Sequence, residues 1–256
     1  MILTLSQFYY GHTVDEDNLF LDFQEGANPA IFAQINIGEY ALSDFVNEVA
    51  SAMNLVGDLD YTVTVNRSTR IITVSATGSF EMLPVTGVNA SKSIFDLLGF
   101  SADTGASTSH IATAASGSVW RPQFKAQDFV DFNNQQQAVD GVSRQTTSGK
   151  VESVRFGTTE TMDAKFTFIT DILQPGDLIE NDSAGVANSR DFLEYATTKA
   201  DLEFMADRDV PASFVKCLLE QTNTSKDGLG FKLKEMYTRG LVGYFDTGIM
   251  KFRKIT

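Results

Sequence analysis

Between Ile31 and Gly105 the spacing of apolar residues switches from helical to alternating and back, which restricts this stretch to a helix, a hairpin and a second short helix packed as one unit. Phe45, Val46, Val49, Ala50 and Met53 recur at helical spacing and give one apolar face. Ser43 is the expected N-cap, its hydroxyl accepting from a free N–H of the first turn, and Asp44 places negative charge at the positive end of the helix dipole. Asn54 and Gly57 are expected to close this helix. Tyr61-Thr62-Val63-Thr64-Val65 then alternates β-branched residues as a half-buried strand does, Asn66 to Thr69 supplies a turn, and Arg70 to Ser75 returns as the second strand. Ser91 or Ser93 is expected to cap a helix through Ile94, Phe95, Leu97 and Leu98, ended by Gly99, where a residue without Cβ turns left-handed at little cost.

Strand signals flank this unit. Ile2 to Phe8 and Asn18 to Phe23 read as strands around an exposed turn at Gly11 to Asp17, and residues 1–30 are expected to pair with a β domain or with neighbours. Ser101 to Ser118 is rich in Ser, Thr, Ala and Gly and offers too little apolar area to offset an ordering cost of roughly 1 to 2 kcal/mol per residue. Residues 106–118 are therefore expected to be a flexible arm, ordered only against a neighbouring subunit. From Val119 onward the pattern is β. Strands are expected at 149–157, 164–170, 200–206, 213–220, 231–236, 242–245 and 249–255, with a polar stretch at Asn133 to Gln137 and a helix at Ser189 to Ala200. Pro175-Gly176-Asp177, Lys226-Asp227-Gly228 and Asp246-Thr247-Gly248 mark turns. The expected fold is mainly β, an antiparallel β-sandwich over 119–256 with an α+β module inserted at 31–105.

With 256 residues, 43% hydrophobic and 21% charged, the composition suits one large or two ordinary globular domains. The net charge of −13 argues against binding duplex nucleic acid, whose affinity comes largely from phosphate attraction. Charge is uneven: residues 1–116 hold 3 basic and 13 acidic residues, whereas 225–256 hold 7 basic and 3 acidic, a pairing that suits head-to-tail contact between subunits. The segment MILTLSQFYY lacks the basic and apolar regions of a signal peptide, and no apolar run is long enough to cross a bilayer, so folding in a cytoplasm without membrane insertion is expected.

Chemistry-bearing motifs are sparse. His12 and His110 are the two histidines, each expected to be solvent-exposed, and neither lies in a nucleophile motif. Cys217, flanked by Phe214, Val215, Leu218 and Leu219, is expected to be a buried thiol in a strand. Asp15-Glu16-Asp17-Asn18 matches no Ca²⁺-loop spacing, and Gly228 and Gly230 are followed by no Gly-Lys-Ser/Thr. Trp120 with Tyr61, Tyr195, Tyr237 and Tyr244 has the composition of a sugar-binding platform, although scattered aromatics of this kind more commonly fill a core. No catalytic, metal or cofactor residue is assigned, and an enzyme such as a depolymerase is the least favoured class.

The helix, the YTVTV-turn-IITVS hairpin and the small-residue run into Leu98-Gly99-Phe100 resemble modules of virion proteins from tailed bacteriophages and other large DNA viruses. The second part, from WRPQF through SGKVESVRFG and KFTFITD to GYFDTGIMKFR, is similar to the distal tail or baseplate-adaptor proteins at the tail tip of long-tailed phages, from which the acidic module at 31–105 is a departure. The resemblance implies a non-enzymatic virion subunit, assembled in the bacterial host cytoplasm as a homo-oligomeric ring, with a hexamer as one candidate. Such a ring joins the tail tube to host-recognition parts and contacts other tail or baseplate proteins. A head vertex or head-to-tail junction protein is one alternative, and an adhesin that binds host-surface carbohydrate is another.

Overall fold

The computed structural model describes residues 7–121, 135–145, 147, 149, 151–166, 169, 179–180, 186–198, 202–205, 214–220, 234–236 and 241–255. Within them the chain is mainly antiparallel β, arranged as two principal sheets with three α-helices. The larger sheet has eight strands in the order Gln135–Gln145 (β10), Val151–Lys165 (β11), Ile249–Lys254 (β17), Phe214–Leu219 (β14), Leu202–Met205 (β13), Gln7–Tyr10 (β1), Ser118–Trp120 (β9) and Ile179–Glu180 (β12). Strict alternation sorts its side chains onto two faces. Phe8, Trp120, Phe204, Cys217 and Phe252 lie in one aromatic core beneath helix α3 (Ser189–Thr198), which adds Phe192, Leu193 and Ala196. Trp120 stacks on Phe192 at 4.5 Å and donates its indole N–H to Ser189 Oγ at 2.8 Å. The other face carries Tyr9, Val119 and Met205, which pack on Leu42.

Several strands run further than their apolar pattern suggests. The polar stretch expected near Asn133 to Gln137 leads into β10, and the strand expected at 149–157 runs on as β11 to Lys165, taking in the first two residues of the strand expected at 164–170, while β10 accompanies it for eleven residue pairs. Thr158, Thr159 and Thr161 bridge the gap because β-branched polar residues suit a paired strand as well as apolar ones do. A two-stranded ribbon, Lys234–Met236 (β15) with Leu241–Asp246 (β16), is tied to Ile169 through Phe245. The turns expected at Pro175 and at Lys226 to Gly230, most of the strand expected from Ile2, and Tyr237 lie outside the described residues.

The smaller sheet is built from the segment whose period switches. Its strands are Phe20–Glu25 (β3), Ile31–Gln34 (β4), Tyr61–Asn66 (β6), Ile71–Met82 (β7) and Ser107–Ile111 (β8), and helix α1 (Leu42–Val56) packs Phe45, Val46, Val49 and Met53 into its core. Strand β7 pairs with β6 through residues 71–76 and with β3 through 80–82, while β8 follows its opposite edge. The turn expected at residues 11–17 is in part strand: His12–Val14 (β2) pairs with Gly38–Tyr40 (β5). Helix α2 (Phe95–Leu98) ends as expected at Gly99, with φ +83°. Its first turn is served by Ser93, whose Oγ accepts from Phe95 N–H at 3.2 Å, although Ile94 holds the cap position. Past the end of α1, the buried Glu25 carboxylate accepts from the Asp58 and Leu59 N–H groups and from the Tyr61 hydroxyl at 2.9 Å, and so locks the helix to the hairpin. Burial, together with that hydrogen bond, pushes the Tyr61 phenol well above its ordinary value.

The expected flexible arm at 106–118 is corrected by the structure. Residues 107–111 are strand β8, and Ala112, Ser116 and Ser118 are buried. A backbone ladder, not apolar area, organises the segment: Ala112 N–H donates to Ile72 O, Thr113 N–H to Gly99 O and Ser116 N–H to Arg70 O. The Arg70 guanidinium donates to Gly117 O at 2.7 Å. Gly117 has φ +59°, and a Cβ there would lie 2.4 Å from the His12 ring. Small residues are required where the path runs under its neighbours. Deleting residues 104–117 should therefore remove a structural strand and its clamp; thermal unfolding of the deletion protein should show a lost or strongly lowered cooperative transition, and an unchanged melting temperature would refute this account.

Candidate functional site: the seam between the sheets

A buried carboxylate and the polar groups around it join the start of α1 to β13 and β14. Ala41 holds the N-cap position of α1 and makes no side-chain cap. Ser43, expected to be the cap, lies inside the first turn, where its hydroxyl is buried with no partner among the described residues. The cap comes instead from the larger sheet. Glu203, fully buried on β13, accepts the Ser43 N–H on Oε1 at 2.8 Å and pairs its other oxygen with Arg67 of the hairpin turn. A carboxylate at this point meets both an unpaired helix N–H and the positive end of the helix dipole.

Arg67 is held from three sides. Its guanidinium lies 3.4 Å from the centroid of the Phe214 ring, its carboxylate partner is Glu203, and its own carbonyl accepts the Tyr9 hydroxyl. Beside it, Asp44 in the first turn of α1 meets Lys216 of β14 at 2.6 Å. The start of α1 and the hairpin turn thus converge on one carboxylate at least 136 residues further along the chain. Removing one partner of a buried pair strands the other, whereas replacing both with apolar groups avoids that penalty. Glu203→Ala should cost about 3 to 5 kcal/mol in chemical denaturation, and Glu203→Met combined with Arg67→Met should recover most of the loss. A double variant no more stable than Glu203→Ala would count against the ion pair as the controlling contact.

Both histidines are buried, which corrects the expectation that they face solvent. His12 Nε2 lies 3.1 Å from Ser116 Oγ, and that hydroxyl donates its proton to Leu97 O at 2.7 Å. Ser116 is then an acceptor, which places the imidazole proton on Nε2. The serine and histidine have the separation of a nucleophile and its base, but not the chemistry. The hydroxyl proton is directed at a carbonyl, Nδ1 has no orienting partner among the described residues, and both side chains are sealed from solvent. Burial, with Arg70 nearby, holds the His12 pKa down at about 3. This pair closes the chain path of 112–117 over β2. His110 Nε2 donates to Phe80 O at 2.9 Å with its ring edge-on to Phe80.

The neutral form of His12 is the one compatible with folding. Its folded pKa lies below the ordinary 6.5, so the unfolded chain takes up the proton first, and the stability is complete above pH 6.5 and lost as pH falls toward about 3. Between pH 6 and 5 the native protein should lose up to about 1.4 kcal/mol per pH unit more than a His12→Gln variant, measured by denaturant unfolding across that range. Equal acid sensitivity of the two proteins would refute this.

The remaining candidates are also used internally. Burial pushes the Cys217 thiol up, away from a reactive thiolate. Trp120 and Tyr61 are buried in different cores, Tyr195 packs against the aromatic core at Tyr10, and these side chains make no shared sugar-binding face. Asp15, Glu16 and Asp17 are exposed, with Asp15 and Asn18 closing the turn through hydrogen bonds to backbone N–H groups. Among the described residues no group of three His, Cys, Asp or Glu side chains is placed to hold a metal. A shallow groove of about 290 Å³ is lined by Asp17, Asn18, Ser91, Ser93, Asp96 and Ser101 among others. Sequence reasoning missed Glu203, Ser116 and Glu25; a lone acidic residue in the apolar strand Leu202–Met205 is the one signal that pointed to the first.

No protein-family model matches the chain, and no curated protein sequence matches it.

Proposed function

We propose that this chain is a non-enzymatic structural subunit of a tailed-phage virion, a ring-forming component at the tail tip or baseplate. In this reading the larger sheet and the β15–β16 ribbon form a sandwich-like oligomerisation domain, and the smaller sheet with α1 is a module carried on it. The observation that supports it most is the seam: the carboxylate of Glu203 joins α1, the hairpin turn and the larger sheet into one unit, as a part held under strain between neighbours requires. His12, His110, Ser116 and Cys217 pack or hydrogen-bond internally, which suits a scaffold. The acidic first half and the basic segment 225–256 offer complementary surfaces for neighbours in a ring.

Electron microscopy of the purified protein, alone and with tail tubes, should show closed rings of one stoichiometry. Monomers under both conditions would overturn the proposal. The carbohydrate-binding alternative draws on one feature, the hydroxyl- and carboxylate-lined groove beside α2, whose donors and acceptors suit a polyol. A glycan array without a binder would remove that alternative and leave the structural reading untouched.

A further inference from the structure

The smaller sheet ends at β4, and the hydrogen bonds around this strand fix where its backbone points. Ile35 N–H donates to Leu19 O at 2.9 Å, so in the antiparallel ladder the odd-numbered residues of β4 are those bonded to β3. Two bonds on the far side of β3 agree. Leu83 N–H donates to Asp22 O and Ile94 N–H to Phe20 O, so the residues opposite Phe32 and Gln34 turn their own groups away from β4. The N–H and C=O groups of Phe32 and Gln34 consequently face off the open edge, unpaired among the described residues. The side chain of Phe32 is 49% exposed, and Ile37 just beyond the strand is 61% exposed. Open edges are normally blunted by charge, proline or a bulge, and Ile31 to Ile37 has neither charge nor proline.

We propose that β4 is a docking edge that pairs antiparallel with β4 of a second copy of this chain. The pattern of free groups is self-complementary and so suits that occupant. In the two-fold register that sets Phe32 opposite Gln34 of the other copy, with Ala33 facing Ala33, all four outward N–H groups meet carbonyls. Sliding the pair so that Gln34 meets Gln34 brings Phe32 to Asn36, whose carbonyl is taken by the Tyr40 hydroxyl and whose N–H is directed at Glu48. Charge sets where two copies can meet. Residues 1–116 hold 13 acidic and 3 basic residues, so two copies repel over most of this half and approach most cheaply along Ala27 to Gly38, which carries no charge. This two-fold contact is independent of the ring reading and stands or falls without it.

Cys217 is buried and is the sole cysteine, so an introduced thiol reports on the edge. Phe32→Cys and Gln34→Cys proteins are prepared separately and mixed under mild oxidation. The mixture should give several-fold more disulfide-linked dimer than either protein alone, because directly opposed residues lie about 5.5 Å apart between Cα atoms and same-residue pairs in this register lie beyond disulfide reach. A Phe32→Lys protein of native circular dichroism and melting temperature should lose the two-fold species in sedimentation while any ring seen by microscopy persists. Equal cross-linking in all three samples, no cross-linking in any, or a Phe32→Lys protein that self-associates as the native one does would each overturn the proposal; loss of rings alone would bear on the ring reading instead.

Discussion

One carboxylate holds the two sheets in register. Glu203 sits in a strand whose other residues are apolar, and no water reaches it, so its charge is tolerable only while Ser43 N–H and Arg67 remain where they are. That dependence runs both ways. The first turn of α1 has no local cap, and the guanidinium of Arg67, drawn over Phe214, has no carboxylate nearer than Glu203 among the described residues. A buried ion pair adds little net stability against apolar alternatives, but it penalises every misdocked arrangement heavily. Its role here is orientational, since a helix end, a hairpin turn and a sheet face can satisfy it in one relative placement.

The larger sheet makes this possible because β1, β9 and β13 at its seam are short and their alternation is clean. In β1, Phe8 and Tyr10 enter the aromatic core under α3 while Gln7 and Tyr9 face the smaller sheet, and β13 repeats the division with Leu202 and Phe204 against Glu203 and Met205. A one-residue slip would carry Glu203 into the aromatic layer and expose Phe204 at the seam. The aromatic core and the polar clamp thus enforce the same register from opposite faces.

Features governed by local periodicity were legible in the sequence. The apolar stripe of α1, the Tyr61 to Ser75 hairpin, α3, and the strands around Leu202 and Cys217 all appear where spacing places them. The mainly antiparallel β character was equally plain. What escaped was set by partners distant in sequence. Ser107–Ile111 is too polar to announce itself, and it becomes a strand because β7 offers it a free edge. Ser43 has the chemistry of a cap, but it lies inside the first turn and a distant glutamate supplies the capping bond. His12 and Ser116 give no local hint of each other, and their burial follows from a path that only the assembled fold defines. The two expectations that failed most clearly, exposed histidines and a flexible arm, share this cause: composition was read as solvent exposure where backbone hydrogen bonding supplied the order.

The route of the chain has a kinetic consequence. It leaves the larger sheet after β1 and re-enters at β9, the antiparallel neighbour of β1, with Tyr10 opposite Ser118. Bringing those strands together from an open coil means closing a very long loop, a cost that rises with the logarithm of its length. The smaller sheet shortens that loop before it is closed. Once β2 is seated and His12 meets Ser116, Gly117 lies against the Tyr10 carbonyl and the two chain ends already stand side by side. The hairpin and α1 are rich in local contacts, whose closure costs least, and forming them first would hand the central strands of the larger sheet a pre-aligned pair around which β13 and β14 can add.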